Sequence, residues 1–282
     1  MVSGAGRLDV IATPIGNIED LSARARSSLA AADLILAEDT RRTALLLGAC
    51  GISRPMLSLH DHNESRRVEA LVERVRGGEV LALVSDAGTP LLSDPGFLLV
   101  RAVAAAGGEV RAVAGPSAIT AALSVAGLPT DRFVFEGFLP AHHGERRTAL
   151  AVLSQESRTL VLFEAPHRIA ATLTQLAAAL GDERQAVIAR ELTKTYETLY
   201  RGTLGTLAKR AEHEADMARG EITLVIAGAP VARVGDAALL ARALPLLLKD
   251  LAPARAAAIA AQLSGVPRRT AYDQAMRLAP KG

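Results

Sequence analysis

Cysteine is nearly missing from this chain of 282 residues: Cys50 stands alone, which excludes an internal disulfide framework and a cysteine-based zinc site. Tryptophan is absent and aromatic residues make up only 3%, which argues against a stacking platform as the main mode of RNA binding; phosphate and shape contacts would have to dominate. No apolar run approaches the ~18 residues a membrane-spanning helix needs. Met1–Asp9 show no basic stretch followed by an apolar segment, so no signal peptide is expected and the expected location is cytoplasmic. The G-x-x-x-x-G-K-[ST] loop of nucleoside-triphosphate enzymes and the G-x-G-x-x-G dinucleotide fingerprint are both missing.

What is present is a globular composition, half apolar and 22% charged. The net charge of +2 predicts no polyanionic partner, but its distribution is uneven. Residues 231–282 carry eight basic side chains (Arg233, Arg242, Lys249, Arg255, Arg268, Arg269, Arg277 and Lys281) against Asp236, Asp250 and Asp273. A basic segment on a mildly acidic body suits an appended module that meets a polyanion, although a solvated helical face would look the same.

Short apolar runs alternate with amphipathic stretches. Leu8–Ala12, Leu34–Ala37, Met56–Leu59, Val80–Ser85 and Val110–Ala114 read as strands, and Ser22 is placed to cap the helix after the first of them. After a Gly127–Asp131 junction the pattern resumes, with strands at Phe133–Glu136, Thr159–Phe163, Ala186–Arg190, Thr198–Gly202 and Glu221–Ala227. Helices are expected at 64–76, 97–106, 117–126, 146–155, 167–180 and 204–216. This is an α/β protein with a mainly parallel sheet and helices on both faces. Three segments are expected: an α/β lobe over 1–127, a second over 128–230, and a basic helical tail over 231–282. In the tail, an alanine-rich helix, a turn at Gly265 and a helix bearing Arg268 and Arg269 have helix-turn-helix character.

Polar loops fall at the carboxyl ends of the strands, where open α/β sheets bind ligands. Ser85–Gly96 (SDAGTPLLSDPG) is the densest, with two Asp, two Gly and two Pro; Asp86, Gly88 and Thr89 are ligand candidates, and Asp94 is either one of them or the cap of the next helix. Thr13–Asn17 (TPIGN) makes a turn, and Ser117-Ala118 opens a helix whose free N–H groups suit an anion. Glu164, His167, Arg168, Arg190, Glu191 and Lys194 form a charged set that either holds phosphate and ribose or is a structural ion-pair network. His60-Asp61-His62 has two imidazoles on one strand face but no third cluster at ligand spacing, so no metal is expected. Arg146 and Arg147 fall in a polar stretch, 137–147, expected to be a surface loop.

Taken in order, TPIGN, AEDTRRT (37–43), LHDHNE (59–64), SDAGTPLLSDPG, GPSAITAALSVAGLP (115–129), FEGFLP (135–140), FEAPHR (163–168), ARELTKTYE (189–197) and GEITLV (220–225) resemble the bacterial ribosomal RNA small-subunit methyltransferase I family, over about residues 8–228. The resemblance implies the two-lobed tetrapyrrole-methylase fold, S-adenosylmethionine in a cleft between the lobes, a homodimer, and 2′-O-methylation of a decoding-centre cytidine of 16S rRNA in the small ribosomal subunit. It makes Pro14, Gly16, Asp86, Gly88, Thr89, Ser117 and Ala118 the expected cofactor residues. Glu191 and Lys194, then His60 and Asp61, are the candidates for activating the hydroxyl. Arg41, Arg146, Arg147, His167 and Arg168 are the candidates for holding RNA. The same fold also serves tetrapyrrole acceptors, and a non-enzymatic ribosome-binding protein is the reading of a different class; cofactor binding separates the latter from an enzyme.

Overall fold

The computed structural model describes residues 6–230 and 236–279. Its first five strands, β1 (Arg7–Ile11), β2 (Leu34–Ala37), β3 (Met56–Ser58), β4 (Val80–Val84) and β5 (Glu109–Val113), alternate with α1 (Ala23–Ala31), α2 (Thr40–Ala49), α3 (Glu64–Arg76), α4 (Phe97–Ala105) and α5 (Ala118–Ala126). They form one sheet in the order β3-β2-β4-β1-β5, parallel throughout. Because helices cover both faces, the strands are apolar at successive positions and the period of two sorts them. Leu34, Leu36, Leu81 and Leu83 join the core on one face with Leu71 and Leu99. Ile35, Ala37, Ala82 and Val84 join the core on the other, with Ala25 and Leu29. Ser22 caps α1, its hydroxyl accepting from the Ala25 N–H at 3.0 Å.

The second half runs β6 (Phe133–Phe138), α6 (His143–Leu153), β7 (Thr159–Glu164), α7 (Ile169–Leu180), β8 (Gln185–Arg190), β9 (Thr198–Thr203), α8 (Leu204–Ala211) and β10 (Ile222–Ile226). Its sheet, β6-β7-β10-β8-β9, is mixed rather than parallel. Only β6 and β7 run parallel; β10 inserts antiparallel between β7 and β8, and β9 returns antiparallel beside β8. The reason is in the connections: a parallel neighbour requires a crossover helix, and residues 191–197 between β8 and β9 contain none.

The expected boundary at 127/128 separates the two sheets but not two compact units. Contacts divide the chain into Met1–Ala229 and Pro230–Gly282. Helix α5, from the first half, supplies Ile119, Ala122 and Leu123 to the same buried cluster as Val161, Val187 and Val225 of the second sheet. One face of the second sheet is thereby covered by the half of the chain that precedes it.

Three local expectations are corrected. The polar stretch 137–147 is not a continuous loop: α6 begins at His143, which places Arg146 one turn inside a helix and buries it. His60–His62 do not lie on a strand, since β3 ends at Ser58 and a turn follows. Asp94 does not cap α4; the carboxylate of Glu64 on α3 accepts from the Leu99 N–H at 2.9 Å instead.

The unit Pro230–Gly282 contains α9 (Ala237–Leu247), α10 (Pro253–Ser264) and α11 (Arg268–Leu278), packed through Leu240, Leu244, Ala256, Ala260, Ala271 and Ala275. Arg242, Lys249, Arg255, Arg268, Arg269 and Arg277 are exposed. Arg233 and Lys281 lie outside the described residues.

Candidate active site

A cleft of about 420 Å³ opens at the carboxyl ends of β1 and β4 and is closed on its far side by residues of the second sheet. Asp86, Gly88, Thr89, Ser117 and Ala118, five of the seven expected cofactor residues, line it. Gly88 is at the bend of the β4 loop with φ +79°, a conformation that L side chains adopt at a cost of about 1–2 kcal/mol. The bend is fixed by a two-way backbone bridge, Thr13 N–H to Gly88 O at 2.8 Å and Gly88 N–H to Thr13 O at 3.0 Å. That bridge explains the TPIGN turn. Pro14 and Gly16 do not line the cleft; their segment props the ligand loop, and Ile15 alone reaches the cavity. Gly16 abuts Lys194, so that a Cβ there would collide with the Lys194 side chain.

One wall is acidic. Glu38, Asp86 and Asp94 all line it, with Arg42 the one cation among them. Asp86 is well satisfied: Oδ1 accepts from the Asp39 N–H at 3.0 Å and Oδ2 lies 3.3 Å from Arg42 Nη1. Glu38 accepts from the Asp86 N–H at 3.4 Å; burial and the neighbouring Asp86 charge push its pKa up. Asp94 is pushed up to about 6, by burial first and then by the charge of Glu38, with Asp86 and Asp61 adding to it, while only the Ser85 hydroxyl favours its charged form. Ser117 precedes α5 without using its hydroxyl as a cap, and it is among the residues that line the cavity.

The opposite wall is built on Glu164, at the end of β7 and 3% exposed. Its carboxylate accepts from the Thr172 hydroxyl and the Ala165 N–H, and pairs with Arg168 at 3.3 Å and Arg146 at 3.5 Å. Arg146, 7% exposed, is thus a structural partner of Glu164 and not a free RNA contact; burial of the Glu164 carboxylate demands it. Arg147, one position on, is exposed, as are Arg41 and His167. Arg41 is engaged by Asp39 at 2.7 Å.

The structure keeps Glu191 and Lys194 together but out of the cleft lining. Lys194 Nζ lies 2.8 Å from Glu191 Oε1 and 3.1 Å from Glu221 Oε2, and the Glu221 N–H donates to Glu191 at 2.9 Å. Burial raises the Glu191 pKa, but Lys194 and the Glu221 amide outweigh it and hold the carboxyl below its ordinary value; Lys194 is held above its own. A depressed carboxylate is a weaker base, which disfavours Glu191 as a proton acceptor, while a raised lysine stays protonated and keeps the character of a cation that lowers a hydroxyl pKa. They brace Gly220 and Glu221, which do line the cleft; Gly220 has φ +75° and a Cβ there would overlap the Glu191 carboxylate. His60 and Asp61 also stay out of the lining. His60 Nε2 is 2.9 Å from the Asn63 amide and its ring meets His62 edge-on at 6.0 Å.

Sequence reasoning passed over Glu38, Arg42, Phe138, Phe163 and Glu221, all of which line the cavity. Glu38 was detectable as an acid directly after a fully buried strand. The two phenylalanines were not, because strand residues that line a cleft look like core in the sequence.

Residues 7–208 match the family described as Tetrapyrrole (Corrin/Porphyrin) Methylases, and residues 234–279 match the RsmI C-terminal HTH domain. The solved methyltransferase CobJ shares the fold (TM-score 0.60, 19% identity, 79% of this chain and 95% of that one), as does a Thermus thermophilus uroporphyrin-III C-methyltransferase complexed with S-adenosyl homocysteine (TM-score 0.55, 19% identity, 81% and 100%). These define a tetrapyrrole-methylase fold with an added helical module. The Ribosomal RNA small subunit methyltransferase I of Xylella fastidiosa (strain Temecula1) is 51% identical over 271 residues, covering 96% of this chain and 99% of that protein. The chain belongs to the ribosomal RNA small subunit methyltransferase I family.

Proposed function

We propose that the protein is an S-adenosylmethionine-dependent methyltransferase of ribosomal RNA whose target is the ribose 2′-oxygen of a cytidine in the decoding centre of 16S rRNA, within the small subunit. The observation that carries the reading is the cleft itself, where the Asp86–Thr89 bend, the acidic wall and the start of α5 converge on one cavity in a chain of this family. The residues present fit the cofactor. Ile15, Ile119 and Ile222 offer apolar surface to a purine, Asp86 and Glu38 suit ribose hydroxyls or an ammonium, and the Ser117 hydroxyl with the first N–H groups of α5 suits a carboxylate.

When bound, S-adenosylmethionine supplies an already activated methyl group on a sulfonium. The protein's own task is therefore alignment, holding the acceptor oxygen about 3 Å from that carbon and in line with its bond to sulfur. Exposed Arg147 and His167, with Arg41 beside its pairing to Asp39 and half-buried Arg168 beside its pairing to Glu164, are the side chains of this unit suited to backbone phosphates, and the exposed arginines of α11 suit RNA in the helical unit. Glu191 and Lys194 serve as positioning residues for the Gly220–Glu221 wall. The reading includes a cytoplasmic location and a homodimer.

The test is transfer of a labelled methyl group from S-adenosylmethionine to small subunits lacking methylation, with the label mapped by nuclease digestion and mass spectrometry. Label on a cytidine 2′-oxygen supports the reading. Cofactor binding without label on subunits or free rRNA discards the ribosomal acceptor.

A further inference from the structure

A ribose hydroxyl must lose its proton as its oxygen takes up a methyl group, and the residues first suited to accept that proton, Glu191 and Lys194, are committed to each other outside the cavity. Five carboxylates do line it. Four have other work. Asp86 holds the Asp39 N–H and Arg42, Glu38 holds the Asp86 N–H, Glu164 is paired with Arg146 and Arg168, and Glu221 with Lys194.

Four observations bear on Asp94. It has no ion-pair partner among the described residues. It does not cap the helix that follows, because Glu64 supplies the acceptor for Leu99. Its loop is held in strained backbone just before it, with Leu91 at φ +74° and Ser93 at φ +71°; such strain persists where packing fixes a functional position. It shares the cavity with Gly88, Thr89 and Ser117 of the cofactor segments.

We propose that Asp94 is the catalytic base of this enzyme. The 2′-oxygen gives its proton to the Asp94 carboxylate and its electron pair to the methyl carbon, and the pair of the broken carbon–sulfur bond remains on sulfur. This rests on the 2′-O-methyltransferase reading above. Burial first, then the negative charges of Glu38, Asp86 and Asp61, raise its pKa against the opposing hydrogen bond of the Ser85 hydroxyl. The result is a carboxyl that can accept a proton near neutrality, where a general base is most effective. Arg42 offsets Asp86, and the acidic excess that is left suits a cationic sulfonium better than the neutral thioether that the reaction leaves behind.

The test uses the full-length protein and two readouts. First, the carboxyl carbon of Asp94, labelled with carbon-13 and assigned by its disappearance in Asp94→Asn, is titrated by NMR without cofactor. A midpoint near 6 is expected; a midpoint at the ordinary aspartate value of about 4 overturns the proposal. Second, methyl transfer to unmethylated small subunits is followed against pH. The wild type is expected to gain activity with unit slope as pH rises through about 6 or somewhat lower, the bound cation shifting the limb down. Asp94→Asn is expected to lose about 10²–10⁴-fold in kcat and to lose the limb, while its Kd for S-adenosylhomocysteine stays within about threefold. Asp94→Glu, which keeps a carboxylate, should recover part of the activity together with the limb. Undiminished 2′-oxygen transfer by Asp94→Asn overturns the inference alone, as does a loss that appears only as weakened cofactor binding. Transfer by the wild type to any position other than a 2′-oxygen overturns the reading and the inference with it. If Asp94→Asn does not fold, the wild-type profile decides, and a flat one counts against Asp94.

Discussion

Glu64, 4% exposed on α3, reaches across to the first turn of α4 and accepts the Leu99 N–H at 2.9 Å. A helix start leaves several N–H groups without partners, and the loop before α4 would otherwise have to supply an acceptor. Because Glu64 does so from a neighbouring helix, the ligand loop stays free to direct Asp94 into the cleft. Glu64→Ala is expected to destabilise the protein by about 1–3 kcal/mol, the cost of an unpaired buried donor, and Glu64→Gln by less because its carbonyl can still accept. Urea unfolding measures both. A loss under about 0.5 kcal/mol for the alanine variant would place the cap elsewhere.

The same relationship marks the limit of what the chain reveals before it folds. Local chemistry was legible: Ser22 caps α1, five of the seven expected cofactor residues line one cavity, and the helical pair around Gly265 forms. Partnerships across distant segments were not. Arg146 looks like a surface arginine until Glu164, at the end of an inner strand of the second sheet, is seen to need it. Asp94 looks like a cap until Glu64 is found in that role. The packing of α5 on the second sheet, which merges two expected lobes into one unit, depends on a face of β7, β8 and β10 that is apolar like any other strand face.

Glu191 is held below its ordinary pKa by Lys194 and the Glu221 amide, against the opposing effect of burial. A carboxyl more acidic in the folded state stabilises the fold above its unfolded pKa, and that contribution disappears as pH falls through the folded value. Lys194, held above its ordinary value, contributes below its unfolded pKa and loses this as pH rises through its folded one. Lys194→Ala is therefore expected to lower the urea midpoint most at neutral pH, with the gap to wild type closing as pH falls below the ordinary carboxylate range and Glu191 becomes protonated in both. A gap that persists in acid would assign the effect to packing of the Lys194 stem on Gly16.

Gly88→Ala should test the ligand loop directly. The residue sits at φ +79°, and an added Cβ would come within 3.2 Å of Ile15 Cγ2 in the cavity wall. The strain is about 1–2 kcal/mol, and relieving it has to disturb the Thr13–Gly88 bridge. Binding of S-adenosylhomocysteine, measured by calorimetry, is expected to weaken by about tenfold or more. Unchanged affinity with lowered thermal stability would make the bend a scaffold feature with no ligand contact.

Residues 230–282 form a compact unit of their own, with exposed Arg268 and Arg269 opening α11. Removing that unit is expected to leave cofactor affinity unaltered, because every residue lining the cleft precedes residue 224. Binding to 16S rRNA should behave otherwise. Each lost contact between a basic side chain and a phosphate reduces the slope of log affinity against log salt by roughly one, so Arg268→Glu with Arg269→Glu should flatten the slope and weaken binding most at low salt. Filter binding across a salt series provides the measurement. If slope and affinity both match the wild type, the helical unit makes no phosphate contacts, and RNA recognition belongs to the α/β unit, with Arg147 and His167 as the first residues to replace.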